Sequence, residues 1–268
     1  MAGRVEGKIA IVVGGGQTPG ETIGNGRATA VVLAREGATV AVFDRDLARA
    51  QETADMITAE GHSAWAGAAD ITDEDSVKAM ISSVLQREGR IDLLHNNVGA
   101  SLALGDGSAL EITKEAFERS FSVNLEGMWL TCKYALPALR ESSGSIVNIA
   151  SMAAVEPNPN VGYKVTKTGV VALTENLAVF NAEFGVRANA ILPGLMNTPM
   201  AIENRVGING MTREDVVAMR DKRVPLGRKM GTAWDVAYAA LFLHSDEAKF
   251  ISGVSLLVDG AQSVAWGH

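Results

Sequence analysis

The chain has 268 residues, 47% hydrophobic and 21% charged, with a net charge of −7. That length suits one large α/β domain or two small ones with a sizeable core, and the acidic balance leaves no basic footprint for nucleic acid. Cys132 is the only cysteine, which excludes an intramolecular disulfide and a thiolate metal cluster within one chain.

The first β-rich run is Lys8–Val13. Its apolar stretch, Ile9 to Val13, is too short for a signal-peptide core or a spanning helix, so no targeting or membrane segment is expected, and the expected location is cytoplasmic. A helix is predicted over Arg27–Glu36, a strand over Ala38–Phe43 and a helix over Leu47–Glu60. Next come a strand over Ser63–Ala68, a helix over Asp75–Glu88, a strand over Ile91–Leu94 and one long helix over Glu115–Arg140. A strand over Ser145–Ile149, a helix over Thr166–Phe184 and strands over Arg187–Leu192 and Val254–Val258 complete the series. The helices are read from apolar residues at three- and four-residue steps. Continuous strings such as Ile9-Ala10-Ile11-Val12-Val13 read as strands buried on both faces. Alternating β and α elements imply a parallel sheet with helices on both faces, and crossover handedness makes it doubly wound. The expected fold is α/β, one doubly wound parallel sheet of about seven strands.

One region breaks the rhythm. From Gly194 to Gly231 the chain is rich in Gly, Pro and Met, with a short helix predicted over Arg213–Lys222; such long irregular segments in compact domains are often lids. Cys132, inside an apolar helical pattern, reads as a small buried hydrophobe. His62, His95, His244 and His268 are scattered without an i,i+4 pair, and no metal site is expected. Asp73-Glu74-Asp75 reads as a helix N-terminal cap. Met152, Met196 and Met200 read either as core or as a pliant apolar wall for a substrate.

Chemistry concentrates at the ends of the predicted strands. The first leads into Gly14-Gly15-Gly16-Gln17-Thr18-Pro19-Gly20-Glu21-Thr22-Ile23-Gly24-Asn25-Gly26 and then a helix, a phosphate cradle in which Gly14, Gly16, Thr22, Ile23 and Gly24 are the candidate contacts. The second ends in Asp44, whose carboxylate can accept from a ribose diol and would repel a 2′-phosphate. That favours NAD over NADP, although the neighbouring Arg45 guanidinium could accommodate the phosphate. Asp70 and Ile71, after the third strand, are candidates for the adenine end, Asp70 reading equally well as a capping residue. Tyr163 and Lys167 share a helix face at a spacing of four. A lysine cation there favours the phenolate of a tyrosine whose ordinary pKa is about 10. Ser151 ends the fifth run, at a strand carboxyl end, where α/β sheets bind ligands.

With these residues assembled, the chain resembles the short-chain dehydrogenase/reductase family from Lys8 to about Gly260. The matches are the glycine turn, Asn96-Asn97-Val98-Gly99 for the usual Asn-Asn-Ala-Gly, and Ser122-Val123-Asn124. Ser151, Tyr163 with Lys167, Pro193-Gly194 with Thr198, and Val258-Asp259-Gly260 follow. The resemblance implies a single Rossmann-like dinucleotide-binding and catalytic domain over residues 1–268, with a substrate lid within about 195–230. It implies Tyr163 as general acid/base, Ser151 as the group that orients the carbonyl or hydroxyl, and Lys167 on the nicotinamide ribose. Asn124 would hold a water in a proton relay. Asn97 and Gly99 would lie by the cofactor near the central strand, with Pro193, Gly194 and Thr198 toward the carboxamide. A homotetramer is implied, with the last helix and strand at one interface.

The glycine motif departs from the family's Thr-Gly-x-x-x-Gly-x-Gly. Val13 stands for the Thr, and Gly14 precedes Gly24 by ten residues, six more than usual, spread through Gln17–Thr22. A longer loop is also a feature of the enoyl reductase branch, but that branch separates its tyrosine and lysine by more residues. The expected activity is NAD-dependent interconversion of a small-molecule secondary alcohol and its ketone. Leu195–Asn209, with Met128–Trp129 and Gly99–Leu102 nearby, should shape the substrate pocket. NADPH-dependent reduction of a 3-oxoacyl thioester, or a catalytically silent dinucleotide-binding protein, remain alternatives.

Overall fold

The continuous apolar runs form the centre of a sheet. The computed structural model, which describes residues 3–265, has seven parallel strands: β1 (Ile9–Val13), β2 (Thr39–Asp44), β3 (Ala64–Ala68), β4 (Leu93–Asn96), β5 (Ser145–Ile149), β6 (Arg187–Pro193) and β7 (Ser255–Val258). Their order is β3-β2-β1-β4-β5-β6-β7. Every residue of β1, β4 and β5 is buried, whereas the edge strands β3 and β7 are mostly half-buried. Side chains alternate across β1 as the strand period requires. Ala10 and Val12 pack toward α1 (Asn25–Arg35), α2 (Leu47–Ala59) and α9 (Ala233–His244). Ile9, Ile11 and Val13 pack toward α3 (Glu74–Glu88), α5 (Gly127–Ser142) and α6 (Val161–Phe180).

Strand order reverses between β1 and β4, and register aligns their carboxyl ends: Val13 lies beside Phe43 and Asn96, and Asn96 beside Asn148. The crevice at such a reversal is where doubly wound sheets bind ligands. Below it a buried polar ladder ties the elements together. Thr131 Oγ1 donates to Asn96 Oδ1 at 2.8 Å, Asn96 Nδ2 to Asn148 Oδ1 at 2.9 Å, and Asn148 Nδ2 to Thr174 Oγ1 at 3.0 Å. Cys132 lies against this ladder, and burial pushes its thiol up to about 12.

Several boundaries differ from expectation for physical reasons. The long helix predicted over Glu115–Arg140 is two helices, α4 (Lys114–Phe121) and α5, joined by a π turn at Ser122–Glu126. The backbone stays helical through the π turn, with no Gly or Pro stop signal inside it, so sequence reading runs the two helices together. Helix α6 starts earlier than the predicted Thr166, which brings Tyr163 into its first turn. Helix α9 is absent from the predicted series, because AWDVAYAALFLH is apolar on almost every side and shows little amphipathic contrast. The scattered histidines are not all separate either. His95 and His244 lie buried with ring centroids 5.9 Å apart, while His268 lies outside the described residues. No helix among the described residues is long and apolar enough to cross a membrane.

Candidate active site

At the carboxyl edge of β5, Ser151 and the first turn of α6 face each other. The Ser151 hydroxyl accepts from Ala153 N at 3.1 Å and lies by the Tyr163 phenol. Burial raises the phenol pKa, with Ser151 and the positive charge of Arg205 pulling it back down. Lys167 is one turn further along and only 2% exposed. Its Nζ donates to the Ile149 carbonyl at 2.8 Å and lies 5.7 Å from the Tyr163 ring centre. Burial lowers the ammonium pKa to about 8. The Lys167 ammonium donates to a backbone carbonyl while lying beside the Tyr163 ring.

Asn124 lies fully buried in the π turn, a widening that recurs at functional sites. Its Oδ1 accepts from Ala100 N and its Nδ2 donates to Ala100 O, both at 2.8 Å. The amide is therefore engaged with the loop after β4 through one N–H and its oxygen. That loop also contributes Asp106, which sequence reading missed. The Asp106 carboxylate accepts from Gly162 N at 3.0 Å and Tyr163 N at 2.8 Å, the second and third residues of α6. Ser101 Oγ donates to it at 3.1 Å, and Asn160 Nδ2 donates to Ser101 Oγ at 3.0 Å. Asp106 thus caps the helix that carries Tyr163 from a distance of more than fifty residues in sequence. No local spacing could have signalled it.

The glycine turn follows β1 directly. Gly14 adopts φ +78°, and Gly14 N and Gly15 N both donate to Phe43 O, at 2.8 and 3.0 Å. Asn97 Nδ2 donates to Gly14 O at 2.9 Å, so Asn97 holds the turn to β4. A Cβ on Gly16 would lie 2.8 Å from Asp44 Oδ2, which brings the carboxylate against the cradle. A Cβ on Gly99 would lie 2.8 Å from Lys167 Nζ.

The six added residues form a closed excursion. Gln17 Oε1 accepts from Gly24 N at 2.9 Å and Gln17 Nε2 donates to Thr22 O at 3.4 Å, so the chain returns to start α1. The tip docks on the segment after β6, where Gly20 faces Pro199 and Glu203. Glu21 pairs with Arg213 at 3.0 Å, and Arg213 pairs with Glu203 at 3.2 Å. That segment contains α7 (Pro199–Ile202) and α8 (Arg213–Asp221) and is stapled at its base by the Met196–Gly231 bridge.

The remaining candidates divide. Pro193 ends β6, Gly194 N donates to Val258 O at 2.9 Å, and Thr198 lies buried at the start of α7. Asp70 is an exposed turn residue, its carboxylate taking Thr72 N at 2.9 Å and Thr72 Oγ1 at 2.7 Å. The Ile71 side chain is core, packed on Gly127. Arg45 is exposed, and its charge acts on Asp70. Met196 is core, Met152 half-buried and Met200 exposed. Trp129 is exposed, with the Lys133 ammonium over its ring.

A dinucleotide fits these residues. Thr22 Oγ1, Asn25 Oδ1 and Asn197 Oδ1 are buried polar atoms without a partner, at the start of α1 and after β6. Buried polar groups left this way mark where a ligand supplies the missing bond. Together with the Gly14–Gly16 cradle and Asp44 they could hold its phosphates, ribose and amide. Among the described residues no group of three His, Cys, Asp or Glu side chains could hold a metal ion.

Residues 21–261 match a family model described as enoyl-(acyl carrier protein) reductase. The chain is 35% identical over 266 residues to 2,5-dichloro-2,5-cyclohexadiene-1,4-diol dehydrogenase LinX of Sphingobium indicum, covering 98% of this chain and 99% of that one. It is 34% identical over 264 residues to levodione reductase of Leifsonia aquatica, covering 97% and 95%. A solved structure described as a short-chain dehydrogenase/reductase from Burkholderia xenovorans superposes with a TM-score of 0.92 at 39% identity, covering 98% and 99%. With the parallel sheet and the Ser151, Tyr163 and Lys167 grouping, these likenesses establish that the chain belongs to the short-chain dehydrogenase/reductase family, oxidoreductases that work with a nicotinamide dinucleotide.

Proposed function

We propose that this protein is an NAD-dependent oxidoreductase that interconverts a secondary alcohol and its ketone, with Tyr163 as acid/base. The observation that carries the reading is Tyr163 on the first turn of α6 beside Ser151 at the end of β5, with buried Lys167 one turn away. The nicotinamide, when bound, supplies or takes the hydride. Ser151 orients the substrate oxygen. Tyr163, whose pKa burial holds above the ordinary value, is protonated at neutral pH and gives its proton to the developing alkoxide in reduction. In oxidation it must accept that proton, a role that Ser151 and Arg205 assist by stabilising the phenolate. Lys167 and Gly99 form the floor on which the ribose would rest. Gly14, Gly16, Thr22, Ile23 and Gly24 would hold the phosphates, and Asn97, Pro193, Gly194 and Thr198 the nicotinamide end. The backbone near Asp70 and Ile71 would border the adenine.

Asp44 supports NAD over NADP. Its carboxylate lies against the cradle, where it would repel a 2′-phosphate. The diol dehydrogenase and the levodione reductase, by their names, lend the alcohol/ketone reading further support. A second reading, reduction of a 3-oxoacyl thioester with NADPH, has the description of the matched family model in its favour and Asp44 against it. We also infer that the segment within 195–230 is a lid and that the protein is a homotetramer. Large apolar side chains left exposed on the outer helices (Phe121, Val179, Phe180) and beside β7 (Phe250, Leu257, Val264) support assembly. The test is turnover of cyclic, aromatic and sugar alcohols, and of an acetoacetyl thioester, each with NAD(H) and NADP(H), followed by the absorbance of reduced nicotinamide. Alcohol oxidation with NAD supports the proposal; thioester reduction confined to NADPH overturns it.

A further inference from the structure

The added loop and the lid segment start from separate feet. The loop leaves the carboxyl end of β1 and the lid segment that of β6, with β4 and β5 between them in the sheet. At about 4.8 Å per strand that is a gap of roughly 14 Å. The two nonetheless touch. A Cβ on Gly20 would lie 2.9 Å from Pro199 Cβ and 3.1 Å from Glu203 Cγ, so the tip seats against α7 with no room to spare. Arg213 Nη1 lies 3.0 Å from Glu21 Oε2, and Arg213 Nε donates to Glu203 Oε1 at 3.2 Å. The contact closes a ring. The ends of β1, β4, β5 and β6 form its floor, and the loop tip, Arg213 and α7 form its roof.

One joint of the ring is weaker than the rest. Gln17 fastens the returning strand of the loop through Gly24 N and Thr22 O, so the base of the loop is fixed to the start of α1. On the lid side the Arg213 and Glu203 side chains are 21% and 27% exposed, whereas Glu21 is 72% exposed. Screening by water and salt therefore falls mainly on the Glu21–Arg213 pair, and that is the joint that parts. The buried oxygens without partners stand at the two feet. Thr22 Oγ1 and Asn25 Oδ1 lie where the loop returns, and Asn197 Oδ1 lies two residues before Pro199. A single ligand that completes both feet lies within the ring, under the roof.

We propose that the Glu21–Arg213–Glu203 clasp is a gate over the dinucleotide, so that cofactor enters and leaves only when the loop tip parts from the lid segment. This rests on the fit of a dinucleotide to the two feet and is independent of which alcohol or ketone is turned over. A gate acts on rates. Opening it more often speeds entry and exit alike, and the dissociation constant, their ratio, stays nearly where it was. Loss of a direct contact to the ligand would speed exit alone.

The experiment is stopped-flow fluorescence of NADH, with NADPH in parallel. Association is read on mixing with the free protein, and release on mixing the loaded protein with a large excess of the oxidised dinucleotide. Arg213→Met, which breaks both ion pairs, should raise both rate constants about fivefold, with the dissociation constant changing less than about twofold. Gly20→Ala, which pushes the tip off Pro199 and leaves every charge in place, should do the same. Glu21→Gln, which breaks only the exposed pair, should raise both about twofold, and Arg213→Lys should keep most of the wild-type slowness. Unchanged rates in either Arg213→Met or Gly20→Ala overturn the gate and leave the cofactor site standing. Faster release with unchanged association also overturns it, by making Arg213 a direct contact to the ligand. If neither NADH nor NADPH binds, the dinucleotide site fails and the gate with it. Should Arg213→Met fail to fold, Gly20→Ala and Glu21→Gln decide by the same criterion.

Discussion

The proton-handling side of the site and the cofactor-and-lid side are built on opposite plans. On the first, each of these polar groups is already held: Asn124 by the backbone of Ala100, Lys167 by the Ile149 carbonyl, Ser151 by Ala153 N, and the Tyr163 main chain by Asp106. On the second, Thr22, Asn25 and Asn197 have buried oxygens without partners. Groups fixed before the reaction need no reorganisation as charge develops, which is what an acid/base cluster requires. Groups left open are completed by ligands, and their cost in the empty protein is recovered as selectivity on binding. The two sides meet where Glu21, Arg213 and Glu203 tie the added loop to the lid.

The contrast is open to direct attack. Tyr163→Phe should lower turnover by about a thousandfold while the NADH dissociation constant, read by fluorescence titration, changes less than about twofold; equal losses in both would mean that the two sides are not separable. Asp44→Ala should weaken NAD binding about tenfold or more and narrow the NAD/NADP preference. An unaltered preference would assign the selection elsewhere.

The pH profile probes Lys167. Its ammonium, lowered to about 8, is charged through the neutral range, so ketone reduction should be flat there and fall about tenfold per pH unit above about 8. The sign separates this from unfolding. The unfolded chain holds that proton up to about 10.5, so burying the charged ammonium costs stability below about 8, and the cost is relieved between the two values. Loss of activity with a melting temperature that does not fall, and that rises by what Lys167 contributes, is the expected result over that range.

Asp106→Ala should reduce kcat several-fold with KM nearly unchanged, because it frees the turn that aims Tyr163. Asp106→Asn keeps an acceptor and should recover part of the rate. A fall in stability with no change in kcat would make Asp106 a cap and nothing more.

Apolar runs and period-3.6 patterns made the strands and most of the helices legible, along with the strand-end positions of Gly14, Asp44 and Ser151. They failed where pattern and structure part company: at the π turn that lifts Asn124 out of a regular helix, and at α9, whose faces hardly differ. The four-residue spacing of Tyr163 and Lys167 was equally plain, yet what that spacing does to the tyrosine was not. Burial and charge arriving from Arg205 decide it, and both depend on which distant segments close over the helix.

By itself, then, the sequence determined the parallel sheet and the identity of the residues at its carboxyl edge, because strand and helix periods are local properties of the chain. The tertiary structure alone decided how those residues are held and charged. Asp106 reaches α6 from the loop after β4, and the added Gln17–Thr22 residues fold back through Gln17 onto the segment after β6. Each is a contact between segments far apart in the chain, set by packing around the finished sheet.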